Sequence, residues 1–226
     1  MRRNTILVAT MAVATIGTTA QSCVALATSA VGIAVLKQIL LGGITKGLGI
    51  FSDKNSFLSN QLIDAALPSQ LRDLNNTLQK LGLNSLVQKE KEYIAQAAAF
   101  TVETSRPILV NAVNSLTAED ATRILQGGSG VATQILREKT SDQLMLAIAP
   151  KVDAKLNEFG LVQSLNSALT GTNLLGSIFG GQSSNVVTSG ISKFAAQQMV
   201  NGLFNIIENH EQQNSAKILN SLSAVK

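Results

Sequence analysis

The chain has 226 residues, enough for one sizeable domain or two small ones. It is 45% hydrophobic but only 4% aromatic, and its net charge is +4. Without Arg2 and Arg3, which lie in a segment expected to be removed, 16 basic side chains face 14 acidic ones and the charge is +2. So small a charge and so few aromatic side chains argue against nucleic-acid binding.

The chain has one cysteine and one histidine, which narrows the chemistry it can carry. Cys23 alone excludes an internal disulfide framework. His210 alone excludes a His-rich metal site, and no nucleophile motif accompanies it to suggest a Ser-His-Asp triad. We therefore expect no metal, no other cofactor and no enzymatic activity.

The N-terminus resembles the signal peptide of a bacterial lipoprotein. Arg2 and Arg3 precede an apolar core over residues 6–16, and small residues then lead to Cys23. In such signals the peptide is cut before the cysteine, which receives the lipid. We therefore expect residues 1–22 to be a signal peptide and Cys23 to be the lipidation site. Ordinary secretion with cleavage near Ala20, or a retained membrane anchor, are the alternatives.

Residues 23–50 are expected to form a tether that passes into an amphipathic helix. Val24 and Ala25 follow the cysteine, and by resemblance to lipoprotein sorting the absence of Asp there implies the periplasmic face of the outer membrane. Lys37 and Lys46 interrupt the apolar run, which is otherwise too short for a membrane span. Gly43 and Gly47, two small residues four positions apart, indicate close packing against another helix. Membrane contact by residues 24–50 is the alternative.

Residues 51–226 are expected to form a single all-α, bundle-like domain of several short helices. A leucine stripe at helical spacing ends at Gly82; it comprises Leu71, Leu74, Leu78 and Leu81. The next helix is predicted from Asn84 to about Ser105, with the charged run 89–92 on its solvated face. Pro107 is predicted to begin another helix, since proline is tolerated in a first turn.

The stretch 116–160 carries the clearest local pattern and predicts three short helices joined by two tight corners. Thr117 caps the first helix by accepting the N–H of Asp120, and the paired glycines 127 and 128 end that helix. Ser129 can begin the second. The third helix is predicted to begin at a capping box formed by Thr140 and Gln143 and to be kinked or broken at Pro150.

The glycine run in this stretch invites comparison with a phosphate-binding loop. It lacks the spacing and the Lys-Ser/Thr pair of a P-loop, and no strand precedes it. The favoured interpretation is therefore that these glycines only end one helix and allow the turn into the next. A helix N-terminus at this point can still bind an anion, so a speculative anion or ligand contact is assigned to Gly127, Gly128, Ser129 and Gly130.

The region 170–190 is rich in Gly and Ser and is predicted to be a flexible loop. The last helix is predicted from about Ser192. Its apolar stripe contains Ala196, Met199, Val200, Leu203, Phe204 and Ile207, and His210 lies at the end of this stripe. The favoured interpretation is that this histidine lies at the edge of the core with its hydrogen bonds satisfied, rather than acting as a catalytic base.

From about Leu36 onward, the chain resembles the bacterial family named domain of unknown function 4197. The resemblance rests on residues 57–82, on the alanine-rich helix around Ala97, on residues 116–140, and on the motif Asn-Gly-Leu-Phe-Asn-Ile-Ile-Glu at 201–208. The second half of the chain holds the most specific part, at 116–140. The resemblance implies an exported, all-helical and often lipid-anchored domain, and it implies no activity.

We therefore expect a lipid-anchored envelope protein that acts as a non-enzymatic binding or interaction module. Its expected contacts are the membrane, through the lipid, and a protein partner or an apolar ligand. The alternative is an unfamiliar envelope hydrolase. It would use Glu119, Asp120, Asp142 or His210 in a cleft, which requires that one carboxyl pKa be shifted by its surroundings.

Overall fold

The computed structural model describes residues 30–169, 178 and 184–223. The predicted signal peptide and Cys23 lie outside these residues. Within them the chain forms ten helices and no strand, which confirms the all-α prediction. The helices are α1 (Ala30–Ser52), α2 (Lys54–Leu58), α3 (Gln61–Ala65), α4 (Ser69–Lys80), α5 (Asn84–Ala99), α6 (Val102–Asn114), α7 (Ala118–Gly127), α8 (Val131–Glu158), α9 (Leu161–Ala168) and α10 (Ser184–Ser223).

Three long helices form the centre of the bundle. The last helix, α10, packs along both α8 and α1, and α6 packs against those same two partners. The short helices α3 and α4 lie on α10, while α5 contacts α2, α4 and α8. The described core is thus built by elements that are far apart in sequence.

Helix α1 contributes a full face to this core. Leu40, Ile44, Leu48 and Phe51 recur at three- and four-residue spacing and are at most 1% exposed. By length and hydropathy alone, residues 32–52 would suffice to cross a membrane. In the structure, however, this apolar face packs against α6 and α10 as a core helix does.

The predicted small-residue contact of α1 is confirmed, and α10 is its partner. A methyl group added at Gly43 would lie 3.2 Å from the Cα of Ile207. One added at Gly47 would lie 2.5 Å from Cδ1 of Leu203. A Cβ at Gly47 would force Leu203 to shift, and one at Gly43 would make an unusually tight contact, so the two glycines help to set how closely these helices approach.

Several local signals are confirmed where they were predicted. Leu71, Leu74 and Leu78 are fully buried, and α4 ends in a glycine turn at Gly82, where φ is +75°. Thr117 and Asp120 form a reciprocal capping box at the start of α7.

The predicted division of residues 131–158 into two helices is wrong. α8 runs without interruption through Thr140 and Pro150. Thr140 is buried, and its hydroxyl donates to the carbonyl of Leu136 at 2.7 Å instead of capping a new helix. One continuous apolar face, which includes Leu144 and Ile148, packs into the core, and this packing outweighs the hydrogen bond that the exposed proline removes.

Two further boundaries differ from the prediction. The helix predicted to reach Ser105 ends at Ala99, and α6 begins at Val102, so Pro107 lies inside α6 rather than at its start. The last helix begins at Ser184, eight residues before the predicted start. Residues 184–190 of the predicted loop are therefore helical, and the rest of that loop lies outside the described residues except for residue 178.

Candidate functional site

The glycine turn between α7 and α8 contains a carboxylate supplied by α10. Glu211 is only 3% exposed, and its Oε1 accepts hydrogen bonds from the backbone N–H groups of Gly130 at 2.9 Å and Ala132 at 3.2 Å. Its Oε2 accepts from the N–H of Thr133 at 2.8 Å and from the hydroxyl of that residue at 2.6 Å. A side chain 78 to 81 residues away thus caps α8.

This arrangement bears directly on the speculative anion contact at Gly127, Gly128, Ser129 and Gly130. The helix dipole favours a negative charge at the first turn of α8. In the structure the carboxylate of Glu211, a residue of this chain, occupies that position. An external anion would have to compete with a buried carboxylate for the N–H of Gly130. Residues 127–129 are exposed, and a ligand contact there stays a prediction.

Beside this turn, two of the stretches on which the family resemblance rests, 116–140 and 201–208, contact each other. Arg137 on α8 donates to the side-chain oxygens of Asn201 at 2.9 Å and Asn205 at 3.5 Å, and its guanidinium lies 4.7 Å from the ring centroid of Phe204. Burial lowers the pKa of Arg137, while the nearby Glu208 carboxylate opposes that shift. The motif at 201–208 therefore positions α10 against α8.

The residues of the hydrolase alternative lie in separate settings. Asp120 is buried and bonded to Thr117, and it lies 3.0 Å from Nζ of Lys139. Burial alone would raise the pKa of Asp120, but the hydrogen bonds from Thr117 and the lysine ammonium outweigh it and hold this pKa below its usual value. Glu119 and Asp142 are exposed, and His210 is half-buried beside Gly42.

These side chains do not combine into a metal centre. Among residues 30–169, 178 and 184–223, no three His, Cys, Asp or Glu side chains converge as a metal-binding group. Asp120 acts as a cap and Glu211 holds the α8 turn. The carboxylates with well-defined partners in this region are therefore structural acceptors.

A carboxylate that the sequence analysis placed on a solvated face lies in the core instead. Glu90 on α5 is 0% exposed, and neither of its oxygens makes a hydrogen bond of good geometry within the described residues, although the Asn75 side chain lies close enough to stabilise its charged form. Burial raises the pKa of Glu90 to about 7, against the opposing effects of Asn75 and Lys91. The available sequence signal was its position three residues after Val87 and four before Ile94, both of which are buried.

Glu90 lines a small cavity between α3, α5 and α10. The cavity measures about 40 Å³ and is lined by Phe57, Leu58, Ile63, Asp64, Leu67, Glu90, Lys91, Ile94 and Gln198. Asp64 and Lys91 form an ion pair of 3.9 Å, and both side chains are largely exposed. The walls are mostly apolar, so the polar groups at Glu90 and Gln198 stand out as the chemically distinctive part.

Comparison with known proteins gives a family and no activity. The model of a family described as a protein of unknown function, DUF4197, matches residues 27–224. Searches of curated proteins and of solved structures found no match. The matched range covers all ten described helices, including the glycine turn, Glu90 and the motif at 201–208. The chain therefore belongs to the DUF4197 family.

Proposed function

We propose that the protein is an exported, non-enzymatic interaction module held at the cell envelope by a lipid on Cys23. The signal-like N-terminus supports export, and the cysteine that follows it supports lipidation. The structural use of Asp120 and Glu211 supports a role without catalysis. By the sorting argument from Val24 and Ala25, the domain would stand on the periplasmic face of the outer membrane.

The observation that carries the interaction role is a groove on the outer side of α6 and α8. One depression, of about 440 Å³, is lined by Ala99, Phe100, Glu103, Lys151, Ala154 and Lys155. Another, of about 580 Å³, is lined by Pro107, Ile108, Asn111, Ala112, Ser115, Lys139, Thr140 and Gln143. We call these two depressions and the surface between them the α6–α8 groove.

Large apolar side chains are exposed in and beside the α6–α8 groove. Leu146 is 78% exposed and lies on α8 between Gln143 of one depression and Lys151 of the other. Its spacing of three residues from Gln143 places it beside the face of α8 that lines the second depression, whereas Lys151, five residues on, lies about 140° further round the helix. Phe100 is 50% exposed at the far end. We take these two exposed side chains as the apolar contacts of a protein-binding surface.

The charges of the groove indicate what kind of partner it fits. Three lysines and one glutamate line it, namely Lys139, Lys151, Lys155 and Glu103. Lys139 is paired with Asp120 at 3.0 Å and Lys155 with Glu158 at 2.7 Å, so the charge that a partner would meet is mainly that of Lys151. A partner segment that combines apolar side chains with acidic ones would match this surface. An apolar small molecule fits less well, because the cavity beside Glu90, at about 40 Å³, is far below the ~300 Å³ at the low end of ligand pockets.

Site-specific photo-crosslinking in bacterial cells producing the full chain tests this proposal. A photoreactive side chain replaces Leu146 or Phe100, and the control replaces exposed Gln79 on α4, which lies outside the groove. We expect both groove positions to crosslink to one and the same envelope protein, identified by mass spectrometry, and the α4 position not to do so.

A charge reversal adds a second arm to this experiment. Lys151→Glu should reduce the crosslinking yield from Leu146 severalfold, whereas the matched reversal of exposed Lys89 on α5 should not change it. Equal yields at groove and control positions, or a yield that ignores the charge at residue 151, would show that this groove is not the interaction surface.

A further inference from the structure

Buried oxygen atoms from two helices face the small cavity without a hydrogen-bond donor in the described chain. The side-chain N–H of Gln198 on α10 donates to the carbonyl of Ile63 at 3.4 Å, which leaves its Oε1 unpaired. Both oxygens of Glu90 on α5 also lack a hydrogen bond of good geometry. Asn75 on α4 is buried close to the Glu90 carboxyl but does not line the cavity. Acceptors therefore outnumber donors around Glu90.

A proton on Glu90 supplies one of the missing donors. An ionised carboxyl can only accept hydrogen bonds, whereas a protonated one also donates through its O–H. The neutral form also avoids the cost of a charge among mostly apolar side chains. For this reason burial raises the pKa of Glu90 to about 7. A closed core and a protonated Glu90 thus stabilise each other.

The charged side chains around the cavity give the ionised form little support. Asp64 on α3 and Lys91 on α5 line it, but they pair with each other at 3.9 Å and remain largely exposed. On the same side of the bundle, Lys54 on α2 pairs with Glu92 at 3.8 Å. The residues that α2 and α10 contribute to the lining are uncharged, and α1, α8 and α9, which also pack on α5, contribute none. Full solvation of an ionised Glu90 therefore requires that a neighbouring helix move.

Helix α4 is the neighbour that can move with the least damage to the bundle. Its main contacts are with α5 and α10, whereas α5 is also held by α1, α2, α8 and α9. It follows Pro68, which provides no side-chain cap, and it ends in the glycine turn at Gly82. Its outer face is polar and exposed. Its buried stripe consists of Leu71, Leu74 and Leu78. Detachment would expose these leucines, so the open form is a minor state.

We propose that Glu90 is a pH-dependent switch, which in its protonated form keeps α4 closed on α5 and α10 and on loss of the proton to solvent lets α4 detach while the rest of the bundle stays folded. Below pH 4.5 the carboxyl is protonated in both forms, so pH does not affect opening. Between 4.5 and about 7 only the open form releases the proton, and opening increases by up to about tenfold per pH unit. Above that range the effect levels off. Rising pH thus makes the leucine stripe of α4 more available to a partner.

Hydrogen–deuterium exchange of the full-length mature chain, read by mass spectrometry at about pH 5 and about pH 8, tests the proposal. Exchange times are scaled to the chemical exchange rate, which itself rises with pH. We expect the opening constant of the α4 amides to rise roughly 50- to 100-fold between these two pH values, while the α8 amides stay protected over the same times. Glu90→Gln stays neutral and should abolish the rise, whereas Asp73→Asn, an exposed change on α4, should keep it.

A second variant tests the same switch without altering the carboxyl. Asn75→Ala removes the group that stabilises the ionised form in the closed chain, so opening should continue to increase to a higher pH than in the wild type. Equal α4 protection at both pH values would overturn the proposal. So would a pH effect that persists in Glu90→Gln, or α8 amides that exchange as fast as those of α4, which would indicate unfolding of the whole domain. None of these readouts depends on crosslinking at the α6–α8 groove.

Discussion

Replacing Glu211 by alanine tests whether α10 holds the start of α8 in place. The change removes the acceptor for three backbone N–H groups and one hydroxyl, at distances of 2.6 to 3.2 Å. Gly130 is partly exposed, so water can replace its bond, whereas the N–H groups of Ala132 and Thr133 lose their acceptor in a buried setting.

The expected loss follows from those two buried donors. A buried polar group left unsatisfied costs about 1–3 kcal/mol, and Glu211→Ala leaves two buried N–H groups without their acceptor. We therefore expect Glu211→Ala to lower the free energy of unfolding by about 2–6 kcal/mol. That is a large share of the ~5–15 kcal/mol that stabilises a typical domain.

Urea unfolding of the full chain, followed by the helical circular-dichroism signal, measures this change. Glu211→Gln retains one oxygen acceptor and should lose about half as much stability as Glu211→Ala. Exposed Gln213→Ala, on the same helix, should change it by less than ~0.5 kcal/mol. The reasoning fails if Glu211→Ala unfolds at the same urea concentration as the Gln213 control.

Three further predictions concern pH, helix packing and capping. Burial raises the pKa of Glu90 to about 7 from 4.5, so the folded chain keeps a proton that the unfolded chain releases. Stability should fall by up to about 3 kcal/mol as pH rises from 4.5 through 7, and Glu90→Gln should remove this fall in urea titrations. Gly47→Ala should lower the free energy of unfolding by ~1–3 kcal/mol, because its methyl group would lie 2.5 Å from Cδ1 of Leu203. Gly49→Ala meets no atom within 4 Å and should raise that free energy by ~0.5–1 kcal/mol, because alanine favours a helix over glycine. Thermal unfolding of the two variants measures the difference. Thr117→Ala should lower the free energy of unfolding by ~1 kcal/mol at pH 7. The stabilisation that the ionised Asp120 contributes should disappear as pH falls below the ordinary aspartate pKa of 3.8. Acid titration of the variant and wild-type chains measures both effects.

The sequence predicted those helix caps, helix ends and buried faces that depend only on neighbouring residues. The Thr117 cap needs only an N–H three residues ahead, and the end of α7 needs only glycine at 128, so both are legible without tertiary contacts. Leu71 and Leu78 likewise reveal a buried face through their spacing alone. Each of these features lies within about two helical turns.

The sequence analysis missed features that depend on distant residues and one for which the local signals conflict. Pro150 resembles a helix end, but the core contacts of α8 stabilise one continuous helix around it. Glu90 lies in a charged run, so its neighbours suggested solvent, although its helical position between Val87 and Ile94 placed it toward the core. The bond from Glu211 to Thr133 joins residues 78 apart, and no local pattern can indicate such a pair.

The central claim is that this is an exported domain held at the envelope through Cys23, and the intact mass of the native protein extracted from bacterial membranes tests it most directly. The account predicts a chain that begins at Cys23 and carries the added mass of a diacylglycerol and an acyl group. An unmodified chain, whether cut elsewhere or still beginning at Met1, would contradict the lipid anchor. Helix α1 would then be the leading candidate for any membrane contact, since its length and hydropathy suffice for a span.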